Sequence, residues 1–497
     1  MRESIALIKW IPAQCWKDKQ KRMNNNNLKR ESILATANNL RWEVGENLHD
    51  TLMESIYENA TSISAKVVIY PDKKPAFSLD RTLDKILTSK YLGFPIMFLI
   101  LAVVFWLTIE GANVPSGLIA NLLVDTLHPL LKNFTDTFIP WWLSGVLIDG
   151  AYLAMAWVIS VMLPPMAIFF PVYTLLEDFG YLPRVAFNMD PLYKKVGAHG
   201  RQALTMAMGF GCNAAGVIAT RVIDSPRERL IAIITNNFSL CNGRWPTQIL
   251  IATIFIGGAA PAYLAGIASA GAVVFIAILG IAFSLIVSWG LSKSLLKGEA
   301  SAFSLELPPY RPPRILQTLY TSLIDRTIFV LWRAIVFAIP AGMVIWLVAN
   351  ITIDGVSVAN HFINWSNPVA FIFGLNGIIL LAYIIAIPAN EIVIPTVLML
   401  TVANLALSGI GGDSGVMFEL DSVTDTASIL HAGGWTLLTG INLMIFSLLH
   451  NPCSTTIYTI YKETKSIKWT VISTFLPIVM GFTLTFFITQ IWRLIFS

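Results

Sequence analysis

The stretch Gly209-Phe210-Gly211-Cys212-Asn213 places a cysteine beside two helix-weakening glycines inside an apolar segment. Two further stretches combine a thiol with a glycine or proline in the same way: Cys241-Asn242-Gly243-Arg244-Trp245-Pro246 and His450-Asn451-Pro452-Cys453-Ser454. Non-helical backbone at membrane depth is tolerated only where it is buried in protein or lines a polar cavity. The three stretches therefore predict broken helices along a path through a membrane.

The composition places the chain in a membrane. Hydrophobic residues make up 55% of the sequence and charged residues only 13%, and the mean hydropathy is +0.66. These values exclude an ordinary soluble domain. Apolar runs of about 20 residues, enough to cross a bilayer, begin near Gly93, Trp142, Thr247, Gly271, Ile328, Phe371, Thr436 and Ser473. With shorter interrupted runs around Cys212 and Pro395, they predict an all-α polytopic membrane protein of about eight to ten transmembrane or re-entrant helices.

Charge and polarity divide the chain into four regions. Residues 1–90 are polar and predict a cytoplasmic leader that is either a small helical appendage or partly disordered. Basic residues close to spans mark the cytoplasmic side, and they recur in the connection at residues 293–327. The membrane halves are then residues 91–292 and 328–497. The weakly amphipathic piece from Pro115 to Leu131 is expected to lie on the interface. No basic stripe interleaved with aromatic residues indicates nucleic acid.

The two membrane halves hint at an internal repeat. The first half contains breaks at residues 208–213 and 238–242, and the second half contains breaks at residues 387–391 and 448–453. In each half the first break carries an asparagine and the second carries a cysteine. Repeats of this kind place a transport site between two related halves. We therefore expect the four breaks to enclose one path.

An ordered series of motifs resembles the membrane domain of FeoB-type ferrous iron transporters over roughly residues 75–495. It consists of Leu175-Leu176-Glu177-Asp178-Phe179-Gly180-Tyr181-Leu182-Pro183-Arg184, Gly209-Phe210-Gly211-Cys212-Asn213, Ala219-Thr220-Arg221, Cys241-Asn242-Gly243-Arg244-Trp245-Pro246 and Asn451-Pro452-Cys453. The resemblance implies two Gate segments, related to those of nucleoside permeases, around a permeation path. It also implies multi-pass insertion into a bacterial inner membrane with a cytoplasmic N-terminus.

The sequence departs from that family in two places. FeoB proteins normally begin with a GTP-binding domain, whereas these 497 residues contain no G-x-x-x-x-G-K-[ST] phosphate loop. The resemblance therefore predicts a separate GTPase partner or GTP-independent transport, and a small cytoplasmic accessory protein. Many members also carry a proline after Gly-Cys-Asn, where this chain has Asn213-Ala214-Ala215-Gly216. We expect the glycines to make the break instead.

The donor types favour a transition metal. Thiolates suit borderline ions such as Fe(II), Zn(II) and Cu, while Mg and Ca sites require mostly oxygen ligands. A transported ion must also be released, so one or two thiols assisted by amides form a more plausible site than a closed cage. The predicted metal ligands are Cys212, Cys241, Cys453, Asn213, Glu391 and Asn242. The predicted gating or structural residues are Gly209, Gly211, Pro246, Pro388 and Pro452.

Each candidate also has a purely structural interpretation. A lone cysteine in a membrane helix usually packs as a small hydrophobe. Glu391, between two prolines, marks a pathway if it lies at membrane depth, but it faces water or an arginine if the break lies at the interface. His450 is either a soft ligand or a hydrogen-bonded residue at a helix end. Arg221 and Arg244 are expected to snorkel or pair with carboxylates.

The function predicted from these features is inward transport of Fe2+ along a gated, thiol-lined path, without a permanently bound cofactor. Mn2+ or Zn2+ transport is an alternative, as is transport of an organic solute in which the asparagines and Glu391 bind the substrate. No nucleophile with a base and no cofactor motif indicates an enzyme. The sequence leaves open whether the chain acts as a monomer or as a homo-oligomer in the lipid.

Overall fold

The computed structural model describes residue 36 and residues 48–67, 79–89, 91–296, 310, 314–405, 416–420 and 422–496. The contacts divide the chain into two compact units. In the first unit, residues 1–76 with 301–304, the helix Leu48–Val67 is described. The second unit, residues 77–300 with 305–497, holds every predicted site residue. The predicted leader and the 293–327 connection lie partly outside the described residues.

Five helices in the described residues are long and apolar enough to cross a membrane. They are Gly93–Phe138, Trp141–Phe179, Ala265–Lys293, Ile315–Asn350 and Ile467–Phe496. Single π-helical stretches interrupt three of them: Asn121–Leu127, Gly145–Tyr152 and Ser322–Ile328. These spans and the broken helices below confirm an all-α polytopic membrane protein.

Shorter helices fill the space between the spans. They are Leu79–Leu87, Tyr181–Lys195, Gln202–Gly211, Asn213–Ala219, Pro226–Thr235, Trp245–Ile251 with the π-helical Ala252–Gly257, Val358–Ile372, Gly377–Ile385, Val393–Leu405, Val423–Ala432, Leu437–Leu449 and Ser454–Thr464. Single 3₁₀ turns occur at Thr220–Val222, Asn236–Phe238, Asn242–Arg244 and Asn390–Ile392. The strands Thr352–Ile353 and Val356–Ser357 pair antiparallel, with Thr352 opposite Ser357.

Two bent helix pairs in the second half share one local design. Val358–Ile372 bends by 109° into Gly377–Ile385, and Val423–Ala432 bends by 107° into the helices that begin at Leu437. Each bend contains a glycine with positive φ, Gly374 at +64° and Gly434 at +77°. Only glycine adopts that conformation without strain. Counting each pair as one span gives up to seven spans in the described residues.

Side-chain caps start the second helix of each bent pair. Asn376 accepts a hydrogen bond from the Ile379 amide, and Thr436 accepts one from the Thr439 amide. Such caps satisfy amides that the first helical turn leaves without partners. The bends are therefore encoded locally by a glycine followed two residues later by an asparagine or threonine.

The segment from Pro115 to Leu131 contains no buried residue, and its position on the membrane interface stays a prediction. It continues the first long helix, which packs against Trp141–Phe179. Polar side chains join this helix to the next one: His128 Nε2 lies 2.9 Å from Asp149 Oδ1, and Lys132 Nζ lies 2.5 Å from Asp149 Oδ2. The weak amphipathic pattern thus arises from side chains that pair with a buried carboxylate of the neighbouring helix.

Helix Trp141–Phe179 packs closely on Ile315–Asn350 through paired glycines. A Cβ at Gly150 would lie 2.8 Å from the Gly342 carbonyl oxygen, and a Cβ at Gly342 would overlap the Gly150 carbonyl. Small residues allow such close approach of two helices in a membrane. The side-by-side packing of the two spans therefore depends on the absence of side chains at both positions.

We expect Gly342→Leu to destabilise the protein by about 1–3 kcal/mol, because overpacking at a close contact forces the helices apart. Thermal unfolding of the purified, detergent-solubilised chain measures the effect. Gly271→Leu is the matched control, since nothing lies within 4 Å of a Cβ there. Equal melting temperatures for the two variants would contradict the close packing.

Candidate metal path

The first break is a single extended residue. Helix Gln202–Gly211 ends at Cys212, whose φ and ψ are −151° and 119°, and helix Asn213–Ala219 begins directly after it. The thiol is free and buried. Gly209 and Gly211 do not have positive φ; they are close-contact positions. A Cβ at Gly209 would lie 2.6 Å from Asn236 Oδ1, and one at Gly211 would overlap the Phe169 ring. The glycines therefore admit neighbours, and the break itself lies at Cys212.

Asparagines join the first break to the second. With its amide nitrogen facing the nearby carbonyls, Asn213 donates to Gly209 O at 2.9 Å and Ser239 O at 3.3 Å. That orientation is the one the hydrogen-bond network satisfies. Asn236 Nδ2 donates in turn to Asn213 O at 2.9 Å. The backbone at both breaks thereby finds partners, and the Asn213 amide nitrogen is engaged with protein.

The second break brings Cys241 against the second half. Cys241 is extended, with φ −78° and ψ 167°, between two 3₁₀ turns. Its sulfur accepts a hydrogen bond from Asn390 Nδ2 at 3.6 Å. Asn390 belongs to the third break, where the neighbouring Ala389 has φ −151° and ψ 118°. These angles nearly equal those of Cys212, so the Cys212-Asn213 and Ala389-Asn390 pairs have matching backbones, as the predicted repeat requires.

Glu391 lies inside the protein beside Gly243. A Cβ at Gly243 would be 2.5 Å from Glu391 Oε1, so the carboxylate covers the glycine two residues after Cys241. Glu391 interacts electrostatically with both Cys241 and Cys453. The role of Glu391 as a pathway residue stays a prediction.

Cys453 occupies the fourth break. It directly precedes helix Ser454–Thr464, and its sulfur lies 3.2 Å from Thr456 Oγ1. The Ser454 amide donates to Ile387 O at 2.9 Å, which joins the fourth break to the third. Cys453 also interacts electrostatically with Cys212 and Cys241. The electrostatic interactions among the three thiols and Glu391 indicate that these groups lie near one another around the four breaks.

These groups do not form a preassembled metal cage. Within the described residues, no group of three or more His, Cys, Asp or Glu side chains is placed to hold a metal ion. Two or fewer strong donors bind an ion incompletely, and incomplete binding favours release. The arrangement can supply one or two sulfurs together with carboxylate, amide or backbone oxygens.

The other predicted residues have clear local positions. Asn242 is half-buried and lines a small cavity with Gly211 and Trp245. Pro246 lies in the first turn of helix Trp245–Ile251, where a proline starts a helix. Pro388 and Pro452 lie in the third and fourth breaks, where they prevent a continuous helix.

Arg244 holds the carbonyl oxygens of the broken backbone. Its guanidinium is 1% exposed and donates to Asn237 O at 3.2 Å, Leu448 O at 3.0 Å, His450 O at 3.3 Å and Asn451 O at 3.2 Å. The prediction of snorkelling is therefore wrong for Arg244, because the end of helix Leu437–Leu449 and the residues after it present three of its four acceptors. Charge pairing is confirmed for Arg221, which lies 2.6 Å from Glu463.

Two residues near the thiols, Asn390 and His450, were not among the predicted metal ligands. Asn390 contacts Cys241, and its carbonyl oxygen Oδ1 is buried without a partner among the described residues. His450 is buried at the end of helix Leu437–Leu449, where its ring packs on Tyr383 with the ring centroids 4.8 Å apart. The signal for Asn390 was its position in the repeat, equivalent to Asn213.

Two family models match the chain. Residues 159–256 match the Gate model, described as nucleoside recognition, and residues 273–325 match the C terminus of ferrous iron transport protein B. The first match contains the breaks at Cys212 and Cys241. No solved structure matches the chain.

Curated relatives match most of the chain. The Fe(2+) transporter FeoB of Staphylococcus aureus (strain MSSA476) is 30% identical over 435 residues, which is 86% of this chain and 61% of the relative. The Fe(2+) transporter FeoB of Synechocystis is 28% identical over 418 residues, which is 84% of this chain and 63% of the relative. The chain is related to FeoB proteins over its membrane part. It spans about three fifths of the length of these FeoB relatives.

A third relative joins two functions in its name. The Fe(2+) transport protein A/Fe(2+) transporter FeoB fusion protein of Porphyromonas gingivalis is 32% identical over 238 residues, which is 48% of this chain and 26% of the relative. The resemblance predicted from the motifs is thus confirmed, and the chain is a multi-pass membrane protein.

We expect Arg244→Met to destabilise the protein by about 3 kcal/mol or more, because four buried carbonyls lose their donor. Arg244→Lys should restore only part of the stability, since an ammonium cannot reproduce the planar fork. Thermal unfolding of the purified chain is the measurement. Arg221→Met is the control, and loss of its exposed ion pair should cost about 0–1 kcal/mol. A melting temperature for Arg244→Met equal to that of the control would refute the role of Arg244.

Proposed function

We propose that this chain is a permease that moves Fe2+ across a bacterial inner membrane into the cytoplasm. The observation that carries the proposal is the contact between helix breaks that hold thiols: Asn390 Nδ2 lies 3.6 Å from the Cys241 sulfur, Glu391 lies against Gly243, and the amide that follows Cys453 donates to Ile387 O at 2.9 Å. The relation to proteins named Fe(2+) transporter FeoB supports the same substrate. Basic residues in the leader and the 293–327 connection support a cytoplasmic N-terminus.

The donor set explains a preference for a soft divalent ion. A thiol must lose its proton to bind a metal, and the proton leaves as the ion enters. Glu391 supplies a negative charge beside Cys241 and Cys453, so it offsets part of the charge of an entering cation. Asn390 donates to the Cys241 sulfur and orients it, in the way that outer-shell partners orient metal ligands.

Relative movement of the two halves would gate this path. At the breaks the halves meet through Asn390 on Cys241, Glu391 on Gly243, and Arg244 on the carbonyls of the fourth break, while Gly150 packs on Gly342 elsewhere. A shift of the third break against the second would separate Cys241 from Glu391 and open the site to one side. The contacts within each half, such as Asn213 on Ser239, would persist during that motion.

A GTPase supplied in trans and a small cytoplasmic accessory protein are the proposed partners. The Porphyromonas gingivalis relative, whose name joins an Fe(2+) transport protein A to FeoB, supports the accessory protein. The GTPase is proposed because the resemblance to FeoB-type transporters implies one. It would act through the cytoplasmic leader or the 293–327 connection.

A second candidate function is transport of an organic solute. The description of the Gate model as nucleoside recognition favours it, because the match covers both breaks of the first half. In that case Asn390 and Glu391 would bind substrate and the thiols would be filler. Mn2+ and Zn2+ are further alternatives within the metal interpretation, since the ligand types do not separate them from Fe2+.

We expect Cys241→Ser, Cys453→Ser and Glu391→Gln each to lower the initial rate of anaerobic Fe2+ influx into proteoliposomes by about tenfold or more, since a lost interaction of about 1.4 kcal/mol is tenfold. Cys212→Ser should have a smaller effect if Cys212 binds the ion only in passing. Cys15→Ser and Glu110→Gln are matched controls that remove the same groups elsewhere and should transport normally.

Parallel assays with Mn2+, Zn2+ and a labelled nucleoside identify the substrate class. Nucleoside uptake that survives Cys241→Ser but is lost in Glu391→Gln would establish the organic-solute alternative. Iron influx that is indifferent to all three thiols would overturn the thiol path even if iron remained the substrate.

We expect the purified chain alone to transport Fe2+ slowly and a GTPase with its nucleotide to accelerate influx. The comparison uses GTP, GDP and no nucleotide, with the GTPase added to the cytoplasmic face of the liposomes. A rate that is already maximal without the GTPase would reject the partner. A Glu391→Gln chain with the GTPase controls for leakage, because it should remain inactive.

A further inference from the structure

An apolar cavity of about 110 Å³ lies between the first long helix and the helices that lead to the first break. Its walls come from Gly93–Ala120, Leu153–Phe179, Tyr181–Lys195 and Gln202–Gly211. The lining contains almost no polar surface. Apolar cavities of comparable size stay dry and accept hydrocarbon, as an engineered cavity of about 150 Å³ accepts benzene.

The cavity reaches the lipid-facing surface of the protein. Phe98 lines it and is also 48% exposed, and the adjacent Leu99 is 63% exposed. Both residues lie on a helix that crosses the membrane. An occupant can therefore enter sideways from the bilayer, where acyl chains are the abundant hydrocarbon.

One polar group in the cavity wall has no partner. The Tyr181 side chain is 6% exposed, and its hydroxyl is buried without a hydrogen bond among the described residues. The other two tyrosines in the wall are engaged: Tyr173 donates to Leu204 O at 2.9 Å, and Tyr193 contacts Met206 Sδ at 3.7 Å. A buried hydroxyl without a partner costs free energy. An acceptor on the occupant, placed to bind the Tyr181 hydroxyl, would offset that cost.

We propose that this cavity binds an acyl chain of a membrane phospholipid, with the ester carbonyl accepting a hydrogen bond from the Tyr181 hydroxyl. Tyr181 begins the helix that follows the span Trp141–Phe179, so it lies near the membrane edge, where ester groups are found. The acyl chain would then run past Met97 and Val185 towards Phe210. Phe210 immediately precedes Gly211 and Cys212. The lipid thereby supports the helix that ends at the first break.

Photocrosslinking of the full chain tests the site. The protein is placed in nanodiscs that contain a phosphatidylcholine with a diazirine in its acyl chain, and crosslinked peptides are mapped. Peptides with residues 97–104 and 181–189 should carry the label. Ala207→Phe fills the cavity from one wall and Leu101→Trp from the other, and each should lower that labelling by about fivefold or more. Ala270→Phe, on an exposed face of another span, should leave it unchanged.

Tyr181→Phe tests the hydrogen bond. Retention of an ester phospholipid by the purified chain, measured by native mass spectrometry, should fall about three- to tenfold, while retention of the matching ether lipid should not change. Thermal unfolding establishes that each variant is folded. Uniform labelling around the spans, preferential retention of a free fatty acid over phospholipid, or equal losses for ester and ether lipids would overturn the proposal.

Discussion

The buried guanidinium of Arg244 is the interaction on which the centre of this protein depends. A helix that stops inside a membrane leaves carbonyl oxygens with neither water nor a following turn to satisfy them. Arg244 donates to four such carbonyls, three of them at the end of helix Leu437–Leu449 and beyond it. Because Arg244 belongs to the first half and most of these carbonyls to the second, the same side chain stabilises a break and fixes how the halves meet.

A fixed positive charge beside a cation path is explained by this role. The carbonyl dipoles at the helix end carry partial negative charge, and they surround the guanidinium. Glu391 lies nearby and interacts with Cys241 and Cys453. The charge of Arg244 is therefore taken up by the backbone and the carboxylate. The proposed ion would meet the sulfur, carboxylate and amide groups around Glu391.

Local sequence signals were sufficient for the membrane class, for the four breaks and for the thiols as candidates, because glycine, proline and cysteine in apolar runs act over a few residues. They were insufficient where distant contacts decide. Gly209 and Gly211 read as helix breakers but serve close packing against Asn236 and Phe169. Arg244 was predicted to be a surface charge because most of its acceptors lie about two hundred residues away in the chain.

Iron K-edge X-ray absorption tests most directly whether thiols line the iron path. The sample is the purified full chain loaded with Fe2+ under anaerobic conditions. We expect the first shell of the iron to contain one or two sulfur scatterers together with oxygen or nitrogen. In a Cys212→Ser, Cys241→Ser, Cys453→Ser triple variant the sulfur contribution should disappear, whereas Cys15→Ser should retain it. A first shell of oxygen and nitrogen alone in the unaltered chain would contradict a thiol-lined path.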